Sequence, residues 1–370
     1  MPQKLLQGTS SIILSDVISP SSNLTRTIHP VGQGAFYSEI FSVRKKKLFT
    51  AVYDCGSNNK GRLKTNIEKL GTIDLIFVSH FHEDHINGIK EIKKIKNSNP
   101  LIVIPGISHY SFVIDLIYNY LHTGDKRCDS ISFMLGCLPE LSSAKINRNK
   151  QNQIIIANKS DFRAGVHVVQ EGVASIPIPH TTDDSFLWRY DAYFHKYDKD
   201  KEKELILKLS EKIPLLAEPM SDDFKDEEWY RNLIEGLSEL DLKDIKKVFT
   251  SVYTGTPNSY SMLVHSYPVD KRNKNMDCLY TGDTTITKPV KTTIINIKPH
   301  YIQVPHHGSK DNFTEGIYFN HQIAFISVGN ENTYEHPSRE TLIELVKKCK
   351  SVHMITETKK SKYKCSFKLK

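Results

Sequence analysis

Six consecutive residues, His80-Phe81-His82-Glu83-Asp84-His85, place three imidazoles and the Asp84 carboxylate directly after an apolar run, DLIFVS (74–79). In extended backbone alternate side chains share a side, so His80 and His82 can hold one metal ion. Once the chain turns into a helix, Asp84 and His85 can face a second position about 3.5–4 Å away, the spacing of two-metal hydrolytic centres. Imidazole and carboxylate without thiolate suit Zn, with Mn and Fe as the other choices. A merely solvated histidine-rich turn is the bland alternative, and it fits poorly with a cluster that ends a buried strand.

Two later positions extend this chemistry. Asp283 closes CLYTGD (278–283), so its carboxylate falls at a strand end. His306 and His307 follow YIQVP and precede Gly308, Ser309 and Lys310. Neighbouring residues at a strand end point in opposite directions, so at most one of the two imidazoles is expected as a direct ligand. The other can donate to a phosphoryl oxygen or pack, and Ser309 and Lys310 can add donors to an anion there. His180, in IPIPHTTDDS, is a further candidate ligand, with a loop histidine as the plainer reading.

Positioning such groups needs strands that end together. TIHPVGQGAFYSEIFSV and LFTAVYDCG alternate like an antiparallel pair, joined by a solvated basic tip at Arg44, Lys45, Lys46 and Lys47. After DLIFVS, Ile86, Ile89, Ile92 and Ile95 recur every three residues and predict one amphipathic helix. LIVIPG (101–106) reads as the next strand and residues 111–122 as a second helix, so α/β layers are expected. QIIIAN (153–158) reads as a short strand, and helical spacing of apolar residues marks an insertion at about 190–250. From 251 strand patterns resume, with a helix at about 338–350 and a last strand near 352–356.

The chain has 370 residues, 39 % of them hydrophobic, which supports a sizeable core without disulfide or metal staples. Fifty basic against 42 acidic residues leave +8, which suits an anionic partner. Residues 1–26 are Ser-rich and read as an extension or an irregular first strand, without a signal-peptide cleavage pattern. No apolar run approaches the roughly 18–20 residues of a membrane span. The six cysteines form no CxxC pair. A cytoplasmic protein with reduced thiols and no membrane partner is expected.

HFHEDH resembles the HxHxDH signature of the metallo-β-lactamase fold. The other motifs are similar to one branch of it, the hydrolase domain of ComEC-like competence proteins and their stand-alone relatives. HPVGQGAFYSEI (29–40) resembles that branch's opening strand, with Ala35 where an acidic residue is usual, and YDCGS (53–57) supplies Asp54. NSYSMLVH (258–265) with CLYTGD, then VPHHGS (304–309) and ISVGNENTYEHP (326–337), complete the series in order over about 27–356. The resemblance implies an α/β fold, a four-layer αβ/βα sandwich with the helical insertion, two divalent metal ions at one edge of the sheets, and a basic tail at 357–370.

It implies further that Asp283 bridges the ions and that Asp54 steadies the metal loop by hydrogen bonding. His336 takes the place of the last histidine ligand, on the ion held by Asp84 and His85, while His306 contacts substrate; the reverse assignment stays open. Many members carry another histidine between HxHxDH and the bridging Asp. Here NSYS stands there, and Asn258 or Ser261 replaces imidazole poorly, which leaves the first site weaker or completed by water.

A centre of neutral imidazoles and few carboxylates is net positive and suits a substrate that gains negative charge where it is attacked. The expectation is a metal-dependent hydrolase, a phosphodiesterase or nuclease acting on DNA or RNA, in which a hydroxide between the ions attacks in line. Asp84 and His306 form the catalytic set, with His306 serving the leaving oxygen. The branch is associated with DNA processing, and Lys347, Lys348, Lys350, Lys359, Lys360, Lys362, Lys364, Lys368 and Lys370, with Tyr363 and Phe367 interleaved, can track a phosphate backbone. A solvated tail is the plain alternative. Two other functions remain open: a small-molecule phosphodiesterase or other ester or lactone hydrolase capped by the insertion, and a metal-binding scaffold with vestigial activity.

Overall fold

LFTAVYDC, LIF and LIVIP are buried where they pair side by side as parallel neighbours. Buried on both faces, such strands read as continuous apolar runs rather than alternating ones. The computed structural model describes residues 22–43, 45–146, 165–179, 186–195, 199–218, 220–252, 261–270, 275–312, 314–330, 332 and 335–369.

The strands are β1 (Ser22–Ile28), β2 (Phe36–Val43), β3 (Lys46–Cys55), β4 (Leu75–Phe77), β5 (Leu101–Pro105), β6 (Val166–Val169) and β7 (Gly172–Pro179). They continue with β8 (Phe186–Phe194), β9 (Leu263–Pro268), β10 (Cys278–Tyr280), β11 (Tyr301–Gln303), β12 (Ile323–Ser327), β13 (Ser351–Ile355) and β14 (Tyr363–Lys368). The helices are α1 (Lys60–Leu70), α2 (Glu83–Ile86), α3 (Ile89–Lys93), α4 (His109–Thr123), α5 (Asp129–Gly136) and α6 (Leu138–Ile146). Then follow α7 (Lys199–Ser210), α8 (Glu227–Leu237), α9 (Leu242–Val252), α10 (Lys288–Ile297) and α11 (Arg339–Lys348).

Two seven-stranded sheets share one plan. In the first, β14-β1-β2-β3 are antiparallel and β3-β4-β5-β6 parallel. In the second, β7-β8-β9-β10 are antiparallel and β10-β11-β12-β13 parallel. With the helices this makes the expected four-layer αβ/βα sandwich. Tyr53 stacks on Tyr280 across the sheets at 5.0 Å, and Tyr37 and Ser327 share a hydrogen bond of 2.9 Å. Buried Glu39 accepts from Arg26 (Nε, 2.7 Å), Tyr190 (2.8 Å), Ser266 (2.6 Å) and Tyr280 (3.0 Å). These donors compensate the desolvation of the buried Arg26–Glu39 pair.

Several expectations change. The segment expected as a basic tail at 357–370 contains β14, paired with β1 from Tyr363–Ile28 to Lys368–Asn23. Its interleaved aromatics and lysines are the alternation of a half-buried strand, with Tyr363, Cys365 and Phe367 turned inward and Lys364 and Lys368 exposed. Residues 22–26, grouped with the extension, take the strand alternative and belong to β1, and residues 190–194, read as insertion, belong to β8; the helices there start at Lys199. The single helix expected after the histidines is two short ones, because the Gly88 amide donates to the Cys55 carbonyl (2.7 Å) instead of continuing a helix. Lys47 is no solvated tip: its ammonium donates to the carbonyls of Leu70 (2.6 Å) and Thr72 (2.5 Å) at the end of α1. QIIIAN and Arg44 lie outside the described residues. Among the described residues, no helix is long and apolar enough to cross a membrane.

Candidate metal centre

The carboxyl ends of β3, β4, β10, β11 and β12 converge on one edge of the sandwich, the end at which parallel strands place ligand-binding groups. Asp54 stands at the end of β3 with φ 50°. Its carboxylate accepts the Ser79 amide (2.7 Å), the Ser79 hydroxyl (2.7 Å) and His85 Nδ1–H (2.8 Å). Burial raises the Asp54 carboxyl above its ordinary value, against the pull of His85 and these donors. Two approaches hold the histidine loop in place. Ala35 donates to the Asp84 carbonyl (3.2 Å), and Gly56 packs so closely that a Cβ there would lie 2.2 Å from the Asp84 carbonyl carbon.

The hydrogen bonds also assign the ring protons. The Ser79 hydroxyl spends its proton on Asp54, so at 2.8 Å it accepts from His80 Nδ1–H. His307 Nδ1–H donates to the Ser327 carbonyl (2.7 Å). Each of His80, His85 and His307 is thereby tied at Nδ1 and turns Nε2 toward the others. The Nε2 atoms of His80, His82, His85 and His307, and Oδ1 of Asp283, are buried without a hydrogen-bond partner. Such orphaned buried polar atoms are costly unless something binds them.

Asp283 is the hub. Its Oδ1 lies 3.4 Å from His85 Nε2, and its Oδ2 lies 3.5 Å from His307 Nε2 and 3.8 Å from His306 Nε2. Asp84 Oδ2 is 4.0 Å from His307 Nε2. An ion with nitrogen and oxygen ligands at about 2.0–2.2 Å in a tetrahedron sets neighbouring ligand atoms roughly 3.3–3.6 Å apart, so the spacing fits. Among the described residues, two groups of donors are close enough to share an ion, His80/His85/Asp283 and Asp84/His85/His307. Burial opposes ionisation of Asp283, but His307, His85 and His306 hold its carboxyl well below the ordinary range. Burial, then the charge of His85, pushes His80 and His82 well below the usual imidazole value, which keeps them neutral. His85 resists its own burial because Asp283, Asp84 and Asp54 raise it; a divalent ion would take over that compensation and release the proton.

The turn Pro305–Gly308 departs from the sequence expectation. His306 and His307 both adopt left-handed backbone, φ 47° and 52°, which brings the two rings onto the same side rather than opposite ones. Both Nε2 atoms therefore approach Asp283. His307, expected to touch substrate or pack, stands with Asp84 and His85, whereas His336 belongs to neither donor group and lies 5.4 Å, ring to ring, from His306. Left-handed backbone at two non-glycine residues is the kind of local strain that functional sites retain.

The remaining candidates are placed as follows. His82 lies 4.4 Å from the His80 ring and stacks on Tyr118 of α4 at 4.2 Å. Ser309 is buried, its amide donating to the His306 carbonyl (2.8 Å), and Lys310 is exposed at the rim. His180 and Asn258 lie outside the described residues. The Met262 amide donates to the Ser79 carbonyl (2.8 Å), which sets Ser261 beside the histidine loop with its buried hydroxyl unpartnered. Three supporting residues carried no motif: Tyr118, Asn312, which donates to the carbonyls of Asp283 and Thr284 (3.2 and 2.8 Å), and Gln303, whose buried oxygen accepts the Thr281 and Gly282 amides (3.0 and 3.1 Å). A polar residue inside an apolar strand, as in YIQV, is the one signal that pointed to Gln303.

The sequence profile of the Metallo-beta-lactamase superfamily matches residues 43–316. A curated relative, probable polyketide synthase 32 of Dictyostelium discoideum, is 24 % identical over 288 residues; the match covers 76 % of this chain but 8 % of that protein's length. Similar solved structures include a diphosphatase from the PhnP family (8 % identity, TM-score 0.34, 91 % of this chain and 86 % of that one). The long form of RNase Z from yeast has 12 % identity and a TM-score of 0.30, over 91 % of this chain and 37 % of that one. The short form of human tRNase Z has 9 % identity and a TM-score of 0.35, over 90 % and 92 %.

Proposed function

Because the chain belongs to the metallo-beta-lactamase superfamily, we propose that it is a metal-dependent hydrolase of phosphodiester bonds, with DNA or RNA as its substrate. The observation that carries this reading is the convergence of four orphaned imidazole nitrogens and one carboxylate oxygen at the strand ends. Bound divalent ions, Zn in the first instance, would supply Lewis acidity and a nucleophile at neutral pH. His80 and Asp283 would hold one ion, with His82 beside His80 but outside either group of close donors, and Asp84, His85 and His307 would hold its neighbour.

The protein's own groups do the rest. Asp54 and the Ser327 carbonyl lock the tautomers of His85 and His307, so those ligands need no reorganisation. His306 is less buried than His307, 17 % against 3 % exposed at the side chain, and is the imidazole that can reach a leaving oxygen and deliver a proton to it. Lys310, exposed beside it, offers a cation to the phosphoryl group. Within the superfamily, VPHHGS, CLYTGD and ISVGNENTYEHP support the ComEC-like branch.

The test is hydrolysis of labelled single- and double-stranded DNA and RNA with added Zn²⁺ or Mn²⁺, with the His82→Ala/Asp84→Ala double variant as the blank. Polymer cleavage that the double variant loses is the expected result. Cleavage of bis(p-nitrophenyl) phosphate alone would shift the assignment to a small diester. Silence on every substrate, in protein shown to hold two ions, would overturn the phosphodiester reading.

A further inference from the structure

Residues 356–362 carry the chain from β13, at the edge of the second sheet, to β14, at the edge of the first. This crossing, the first turn of α1 and the loop after β12 border an open groove of about 480 Å3, lined by Arg62, Asn330, Glu357, Thr358, Lys359 and Lys360.

Three cations, Arg62, Lys359 and Lys360, face one carboxylate, Glu357, so the groove is net positive. The carboxylate of Glu357 is occupied by the Asn330 amide (3.0 and 3.3 Å) and packs against Gly32, where a Cβ would lie 2.2 Å from it. Among the described residues no ion pair involves Arg62, Lys359 or Lys360, whereas neighbouring Lys60 is taken up by Glu83 (3.1 Å) and Asp129 (3.5 Å). The first turn of α1 has no acidic residue and carries Lys60 and Arg62 instead. Lys60 is compensated by its two carboxylates, so it is Arg62 that adds to the positive end of the helix dipole on the groove side.

The lysines are also held in place. The Ser361 hydroxyl donates to the Thr358 carbonyl (2.7 Å) and accepts the Thr356 amide (2.9 Å), closing the turn that presents Lys359 and Lys360. One loop joins this groove to the metal centre. On one side Ala35 donates to the Asp84 carbonyl and Gly34 packs on it; on the other, Gly32 meets Glu357 and Gln33 meets Gly329.

Resting on the phosphodiesterase reading above, we infer that this groove holds the phosphate backbone of the nucleic-acid strand beside the bond being cut, with Arg62, Lys359 and Lys360 each contacting a phosphate. Each such contact on a single strand displaces condensed counterions and adds about 0.7 to the slope of log affinity against log salt.

The test measures binding of a labelled, cleavage-resistant phosphorothioate strand to the metal-loaded full chain across a salt series. The Arg62→Ala/Lys359→Ala/Lys360→Ala variant should bind about tenfold more weakly or worse, with the salt slope reduced by about 2. Lys359→Ala/Lys360→Ala, which leaves the half-buried Arg62 in place, should lose about 1.4 of slope, and Arg62→Lys/Lys359→Arg/Lys360→Arg should restore it. An unchanged affinity and slope in both alanine variants, or no binding by the wild type, overturns the groove. If the strand binds through these residues but its unmodified phosphodiester counterpart is never hydrolysed, the groove stands and the catalytic reading falls; if the unmodified strand is cleaved while both variants bind normally, the reverse holds.

Discussion

Asp54→Asn isolates what the outer carboxylate does, because the side chain keeps its size and leaves no cavity. The native carboxylate accepts three hydrogen bonds, Ser79 N–H on Oδ1 at 2.7 Å, and Ser79 Oγ–H and His85 Nδ1–H on Oδ2 at 2.7 and 2.8 Å. An amide offers one oxygen. With its NH2 in the Oδ1 position it faces the Ser79 amide, a donor that cannot reverse, and a buried unsatisfied donor costs about 1–3 kcal/mol. With its NH2 in the Oδ2 position the Ser79 hydroxyl can turn to accept, but His85 can accept only by moving its hydrogen to Nε2. That atom lies 3.4 Å from Asp283 and has to present a lone pair to an ion. The first orientation costs stability and leaves His85 a neutral oxygen in place of a carboxylate, the second opposes metal loading outright, and losing such an outer partner weakens affinity about 10–100-fold, roughly 1.4–2.7 kcal/mol. Titration against a chromogenic chelator reads the affinity, and urea unfolding of the metal-free protein reads the stability. An Asp54→Asn protein that takes up Zn²⁺ as tightly as wild type would refute the reasoning that Asp54 sets the tautomer of His85.

Three further outcomes follow from particular contacts. His307→Ala should lower the number of ions bound per chain while His336→Ala leaves it unchanged; metal analysis of the two purified variants decides between them, and loss in His336→Ala alone would restore the sequence-based assignment. Glu39→Ala leaves Arg26 buried without its carboxylate and should cost about 3–5 kcal/mol in urea unfolding, whereas Arg26→Met/Glu39→Met should recover only part of it, because Tyr190, Ser266 and Tyr280 still lose their acceptor; a single variant within 1 kcal/mol of wild type, about the size of an exposed ion pair, would contradict the buried pairing. Removing residues 357–370 strips β14 from β1 and takes Phe367 from the Arg26 guanidinium, 5.5 Å above its ring. The shortened chain should aggregate through its bared edge, and a soluble protein with wild-type melting would count against β14 as part of the sheet.

Much of the centre was legible because its signals are local. HFHEDH follows an apolar run, and the chain's own geometry brings His80 and His82 to one side. Asp283 behind CLYTGD is placed in the same way, by a strand that must end there. The family motifs added the order of the strands and the four-layer plan, which the pairing of the two sheets matches. Where sequence reasoning went astray, a distant group had overruled a local pattern. The isoleucines spaced every three residues promised one helix, and the Cys55 carbonyl broke it by capturing the Gly88 amide.

The residue types and their spacing therefore determined the chemistry, a histidine and carboxylate centre on strand ends, since ligand identity and strand periodicity are properties of a few neighbouring residues. Tertiary structure alone set which later histidine stands within reach of both Asp283 and Asp84. A left-handed turn and the Ser327 carbonyl aim His307 at Asp283, and no spacing rule encodes a turn conformation imposed by packing. It likewise decided the fate of the C-terminal lysines. Alternation in YKCSFK is compatible with a solvated tail or a strand, and only the free edge of β1, more than three hundred residues earlier, gave the inward side chains an apolar surface to cover.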